Sequence, residues 1–387
     1  MILGDSARAQ PCLTTNFAAP PRALTAPREI RSLTGLRFVA AAMVLLFHTA
    51  DALPGAPGFE MLSSAGYAGV TFFFVLPGFV FTFSYREGGR RRDFLRRRAA
   101  RILPLHVVTW AVALLVILVE GGRLSAKPLF ANLVLLQAWV PREEYYYSGN
   151  GAAWSISCEA FFYLLLPLIL LAARRSCGRR RTYVLVAVLT LLATFVATVH
   201  VVSPAMDTTP YLWVFPPFRL LEFVGGVVLA LLYREGLLRI PVPVAAVVMA
   251  CAMALATAVH HALRESLEIF PPQDIASLAL LPGVLALIPA MAAGELAGRS
   301  SWLASPALVA LGKWSFALYM THQLVLRLTV QGLDGADRLS VTTGTTLQVL
   351  LLIICIALAA VTHQWIEAPL ERRLRSRPRA STADRTP

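Results

Sequence analysis

Ten runs of about 20 mainly apolar residues fill most of this chain, near 33–53, 66–85, 102–120, 154–173, 182–202, 212–233, 240–260, 274–293, 306–330 and 346–366. A helix of roughly 20 residues crosses the roughly 30 Å hydrocarbon core of a bilayer, so each run is long enough to span it. Continuous runs exclude a membrane barrel, whose strands would alternate apolar and polar residues. The fold expected is an all-α integral membrane protein with about ten transmembrane helices around a central polar cavity. A further apolar stretch, 128–140, is too short to cross and reads as re-entrant or interfacial. Treating it as a span would move Arg174, Arg175, Arg179, Arg180 and Arg181 to the face that carries few arginines.

Charge gives the orientation. The formal charge is +13, from 35 basic and 22 acidic side chains. The arginines cluster between apolar runs, where cytoplasmic loops carry them, and this argues against nucleic-acid binding. With the N-terminus inside, 27 basic residues fall in cytoplasmic segments and 5 outside (Arg123, Lys127, Arg142, Arg264 and Arg338). Both termini are therefore expected in the cytoplasm, with the chain multi-pass in the cell membrane. Residues 1–30 lack the apolar core of a cleavable signal and read as a polar cytoplasmic tail. Residues 31–370 form the membrane unit, and 371–387 a basic cytoplasmic tail. The five cysteines, Cys12, Cys158, Cys177, Cys251 and Cys355, show no metal-like or disulfide pattern. No metal site is expected, the adjacent His260 and His261 near a loop being solvated.

Ionisable residues inside spans are costly and mark functional sites by default. The first run holds Arg37 and His48. Eleven helical steps leave the two on nearly the same face, about 20° apart, and roughly 16 Å apart along the axis. His48 is a natural general base, since an imidazole takes a proton from a hydroxyl near neutral pH. Read alone, it is equally a packing histidine, and Arg37 equally a snorkelling anchor.

The stretch 86–101 carries eight arginines and ends as RRRAARILP. Guanidinium forks bind phosphate bidentately. For Arg98 and Arg101, against Pro104, that role stands beside simple topology marking, which suffices for Arg90 to Arg92. In WSISCEAFFYLLLP, Glu159 lies near the start of a span beside Ser155 and needs a partner. Two are available: His48, as in an acid–imidazole pair, or an arginine such as Arg219. In KWSFALYMTHQLV, Ser315, Tyr319 and His322 fall at i, i+4 and i+7, lining a cavity or bonding between helices.

These segments together resemble the membrane acyltransferase-3 family. The resemblance covers roughly residues 30–375 and rests on SLTGLRFVAAAMVLLFH with its Arg-x10-His pair, GVTFFFVLPGF at 69–79, RRRAARILP at 96–104, WSISCEAFFY at 154–163, SFALYMTH at 315–322 and WIEAP at 365–369. Two positions depart from it. Pro77 replaces a small hydroxyl residue, and His106 stands where a tyrosine-like residue is common.

The resemblance implies an enzyme that O-acylates a hydroxyl, with His48 and Glu159 catalytic. It further implies that Arg37, Arg98 and Arg101 hold the phosphates of an acyl-CoA donor, which is a co-substrate with no cofactor permanently bound. Tyr319, His322 and Ser155 are expected to contact substrate, and Glu367 and Trp365 to cap the last helix. The acceptor is a hydroxylated small molecule or a glycan. Few lysines and abundant Ala and Arg fit an actinobacterial source, which favours a macrolide-type antibiotic over cell-envelope or exported polysaccharide. Membrane lipids and a second copy of the chain are the other expected partners. The competing class is a transporter for an anionic or lipid-linked substrate, although no inverted repeat is visible.

Overall fold

The computed structural model describes residues 29–56, 66–85, 90–173, 178–203, 207–267, 273–333 and 339–375. Most of the N-terminal tail, the C-terminal tail beyond 375, Cys12, Cys177 and the side chains of His260 and His261 lie outside them.

All regular structure among the described residues is helical, in short and long segments. Ten helices are long: α1 (Arg31–Ala52), α2 (Tyr67–Phe83), α3 (Arg91–Val119), α6 (Trp154–Ala173), α7 (Arg179–Val202), α8 (Pro216–Arg234), α9 (Val242–Leu267), α10 (Gln273–Leu296), α11 (Pro306–Gln331) and α12 (Val341–Thr362). Between them and after them lie the short helices α4 (Ala126–Leu133), α5 (Glu143–Tyr146) and α13 (Ala368–Arg375). Eight segments are long and apolar enough to cross a membrane. The two long helices outside that group are α2, apolar but of 17 residues, and α11, whose buried side carries Ser315, Thr321 and His322. The chain is an all-α, multi-pass membrane protein.

α1 runs through the middle, between α11 on one side and α2 on the other, and α2 packs along α8. α7 and α9 are peripheral, with most of their apolar surface turned outward. That outward face needs no cover in a bilayer, where lipid tails are as apolar as leucine. The α2–α8 crossing is close because Gly226 leaves room for the carbonyl of Val75, and Gly78 for that of Phe223. Small residues let membrane helices approach backbone to backbone. Pro77, one of the two departures from the family pattern, lies in this crossing and lines the cavity.

The stretch 128–140 does not span. It breaks into α4 and a 3₁₀ turn, Gln137–Trp139, with Leu135 in the left-handed region at φ 61°. Irregular backbone at membrane depth persists only where protein satisfies it. Here Asn132 Nδ2 donates to Ser148 O at 2.6 Å, Gln137 Nε2 to Ala153 O at 2.9 Å and Ser157 Oγ to Leu135 O at 2.6 Å. His106, the second departure, is fully buried and donates from Nε2 to Asn132 O at 3.1 Å. Its ring thus anchors this non-spanning segment.

Helix ends assigned to one face gather at one end of the bundle. Glu295 of α10 accepts from the N–H groups of Arg31 and Ser32, Arg181 pairs with Glu235 at 2.5 Å, and Arg234 donates to Tyr85 O. At the opposite end Arg327 pairs with Glu120, Gln331 reaches Val119 O, and Gln348 reaches Leu53 O. Two boundaries differ from the sequence reading. α3 begins at Arg91, well before residue 102, because arginine favours helix and the basic turns continue the span beyond its apolar part. The last helix continues past residue 370, through a π turn at His363–Glu367, into α13.

Candidate functional site

A cavity of about 510 Å³ lies between α1, α2, α3, α6 and α11. One end is at the arginine-rich face, where Glu29, Tyr85 and Arg234 stand. The inner end reaches Ser155, Ser315 and Tyr319. Arg37, Arg98, Arg101 and Glu159 all line it, so helices far apart in sequence bring the expected charged residues to one space.

Their electrostatic states differ. Among the described residues, Arg37 has no hydrogen bond or ion pair. Arg98 has none either; its guanidinium lies over Phe81, 4.5 Å from the ring centroid, and 5.9 Å from that of Phe94. Phe81, Phe94 and Tyr163 pack edge to face, which fixes that platform and leaves the guanidinium edge available. Arg101 is committed. Its Nη1 sits 2.5 Å from Glu367 Oε1 and 3.0 Å from Glu371 Oε2. The expected trio of phosphate-binding arginines therefore divides into two uncommitted groups and one tied to the C-terminal segment. Glu367 is not a helix cap but a buried counter-ion, which also meets His363 Nδ1 at 3.0 Å. Trp365, by contrast, is 77% exposed.

Glu159 pairs with neither candidate partner. Its Oε2 accepts from the Tyr163 hydroxyl at 2.5 Å, and its carboxylate faces the cavity that Arg37 and Arg98 line. Arg219 is neutralised by Glu222, 2.7 Å away, one turn along α8. The reason is depth: α6 starts inside the bundle, after the non-spanning segment. That brings Glu159 and Tyr163 to the level of Arg98, on the arginine side of His48.

His48 stands beyond the inner end of the cavity, on the side away from the arginines, and is not among the residues that line it. Its ring lies 5.3 Å from that of His322, which lies 5.6 Å from Tyr319. Tyr319 lines the cavity and His322 sits behind it, so the i, i+4, i+7 face of α11 divides at His322. Ser155 lines the cavity opposite, its hydroxyl donating to Ala152 O at 3.1 Å. Gln323, adjacent to His322 in sequence, places its amide Nε2 3.4 Å from His48 Nε2. No sequence pattern marked Gln323, or Phe81 and Phe94, as part of the site, because each acts through a neighbour on another helix or turn.

A family model described as an acyltransferase domain matches residues 30–364. The chain belongs to the acyltransferase-3 family. It is a membrane acyltransferase, and the transporter reading is set aside. The acyltransferase MdmB of Streptomyces mycarofaciens is 34% identical over 391 aligned positions, covering 94% of this chain and 97% of that protein. Nodulation protein 10 of Rhizobium leguminosarum bv. viciae is 30% identical over 211 positions, 46% of this chain and 56% of that protein. No solved structure matches.

Proposed function

We propose that this acyltransferase moves a short acyl group from acyl-CoA to a hydroxyl of a macrolide-type antibiotic. The observation that carries the donor half is a cavity lined by Arg37 and Arg98, two guanidinium groups with no direct ion pair or hydrogen bond among the described residues, and with Glu159 as the carboxylate facing the same space. Unpaired charge inside a membrane protein is expensive, and a phosphorylated ligand supplies the missing anion through charge-assisted hydrogen bonds. In this reading the arginine-rich end faces the cytoplasm, where acyl-CoA is made, and Arg101 shapes the mouth through Glu367 and Glu371.

The rise of roughly 16 Å from Arg37 to His48 suits an extended pantetheine arm, which places the thioester at the inner end. Tyr319 stands there, so its side chain turns aside for the thioester to reach His48. His48 then takes the proton of the acceptor hydroxyl as the oxygen attacks the thioester carbonyl. The new O–C bond forms, the C–S bond breaks, and the proton passes to the departing thiolate. Glu159 and Tyr163 hold the polar wall beside the donor. A Streptomyces relative matched over nearly its whole length agrees with an actinobacterial source, the ground on which a macrolide is preferred to a saccharide.

The test is to incubate membranes containing the protein with labelled acetyl-, propionyl- and longer acyl-CoA plus macrolide and polysaccharide acceptors. A labelled macrolide ester is expected. Acylation of polysaccharide alone would reassign the acceptor, and no transfer from any acyl-CoA would remove the donor.

A further inference from the structure

We infer that His322 is the positioning residue for His48, accepting a hydrogen bond from the His48 Nδ1–H and so fixing which nitrogen acts as base. The inference rests on the reading of His48 as the base and adds the group that orients it.

Three features of the two rings lead there. First, His322 Nδ1 lies 2.7 Å from the carbonyl oxygen of Tyr319, one turn back on α11. A carbonyl only accepts, so Nδ1 carries the proton and Nε2 holds a bare lone pair. That Nε2 is buried and has no hydrogen-bond partner, in a residue only 1% exposed. A buried acceptor without a donor is costly and calls for a function. Second, the amide of Gln323 donates toward His48 Nε2 at 3.4 Å. Neutral imidazole has one N–H; with the Gln323 amide nitrogen as the donor, the inference places the His48 proton on Nδ1, which has no hydrogen bond among the described residues. Third, the two rings are neighbours, with centroids 5.3 Å apart and planes 33° apart.

One ring thus holds a donor without an acceptor, and the other an acceptor without a donor. A side-chain rotation, or one bridging water, joins them. The acceptor hydroxyl then takes the place of the Gln323 amide at His48 Nε2. When His48 receives its proton, the imidazolium keeps its Nδ1–H on His322 Nε2, and His322 stays neutral with its own proton on Tyr319 O. An imidazole here does what a carboxylate does in acid–imidazole pairs. Glu159, on the cavity wall with Tyr163, is left free of that role.

The two nitrogens of His322 can be removed separately. In His322→Asn the amide nitrogen replaces Nδ1 and keeps the bond to Tyr319 O, while the acceptor at the Nε2 position is lost. In His322→Gln the amide oxygen replaces Nε2 and the bond to Tyr319 O is lost. The inference expects His322→Asn to lose about 10²-fold in kcat with the KM for acyl-CoA within about twofold, and His322→Gln to stay within about tenfold of wild type. A purely structural histidine, held through Tyr319 O, gives the opposite order. Equal losses, or the opposite order, overturn the inference while leaving His48 as base. Wild-type turnover in His48→Ala overturns both. A second measurement needs no change at 322. In wild-type protein labelled with 15N-histidine, with His48 assigned through His48→Ala, both rings are expected to carry the proton on Nδ1. A proton on Nε2 of His48 or of His322 overturns the pairing.

Discussion

Arg101 is held by Glu367 at 2.5 Å, while Arg37, lining the same cavity, meets no carboxylate. The cost of neutralising each arginine follows from that difference. Arg37→Gln or Arg98→Gln removes a cation whose partner is the ligand, and a lost charge-assisted hydrogen bond of about 1.5–3 kcal/mol raises the KM for acyl-CoA by roughly 10- to 100-fold. The KM for the acceptor stays near wild type. Arg101→Gln instead leaves Glu367, 1% exposed, without its counter-ion. Breaking a buried pair costs about 3–5 kcal/mol, and the lower end applies because Arg101 is itself 21% exposed. It is expected to lower the thermal stability of the detergent-solubilised protein more than it changes donor affinity. Equal kinetic effects from all three would return Arg101 to the phosphate site.

The close approach of α1 and α11 sets the spacing of the two histidines, and Gly312 permits it. A Cβ at 312 would meet the carbonyl of Thr34 on α1, which cannot yield without moving the helix. Gly312→Val should separate α1 from α11, costing about 1–3 kcal/mol by overpacking and lowering turnover with it. Gly332→Ala, near the end of the same helix, meets nothing closer than 3.5 Å and should behave as wild type. Melting temperature and acyl transfer, measured on both variants, decide it. A fully stable Gly312→Val would show that the contact is not tight.

Apolar run length made the helices legible in the sequence, and arginine placement made their order legible, since both report the bilayer directly. That 128–140 does not span was legible through parity: only a non-spanning segment there keeps Arg179 to Arg181 on the arginine-rich face, where Arg181 meets Glu235. Side-chain pairing was not. Whether Glu159 faces Arg219, His48 or Tyr163 depends on how deep α6 begins. The irregular backbone before it sets that depth, and no periodicity reports it. Arg101 likewise could not be separated from Arg98, because its partner Glu367 lies 266 residues away on a π turn.

His48→Ala should abolish acyl transfer while leaving expression, membrane insertion and the thermal transition near wild type. His48 is half-buried, and its one hydrogen bond among the described residues is the 3.4 Å contact with Gln323, so little of the bundle depends on it. Turnover per folded molecule, measured beside the melting curve, separates the two effects. Wild-type turnover would end its role as base, and a collapsed melting curve would make it a packing residue.

Orientation decides whether a cytoplasmic donor can reach Arg37 and Arg98 at all. Exposed positions exist at both ends of the bundle: Arg180 and Arg299 near the arginine-rich end, Arg123 and Asp207 near the other. With the five native cysteines replaced, single cysteines at 180 and 299 should resist a membrane-impermeant thiol reagent in intact cells, and those at 123 and 207 should react, as the excess of arginine at one end requires. Labelling at 180 but not at 299 would mean that the helices between them do not cross as packed, against the Arg181–Glu235 pair and the seat of Glu295 on α1. Reversal at all four positions would keep the fold but turn the cavity mouth outward. Acyl-CoA made in the cytoplasm would then have no route to the two uncommitted arginines, and a donor supplied from outside the membrane would take its place.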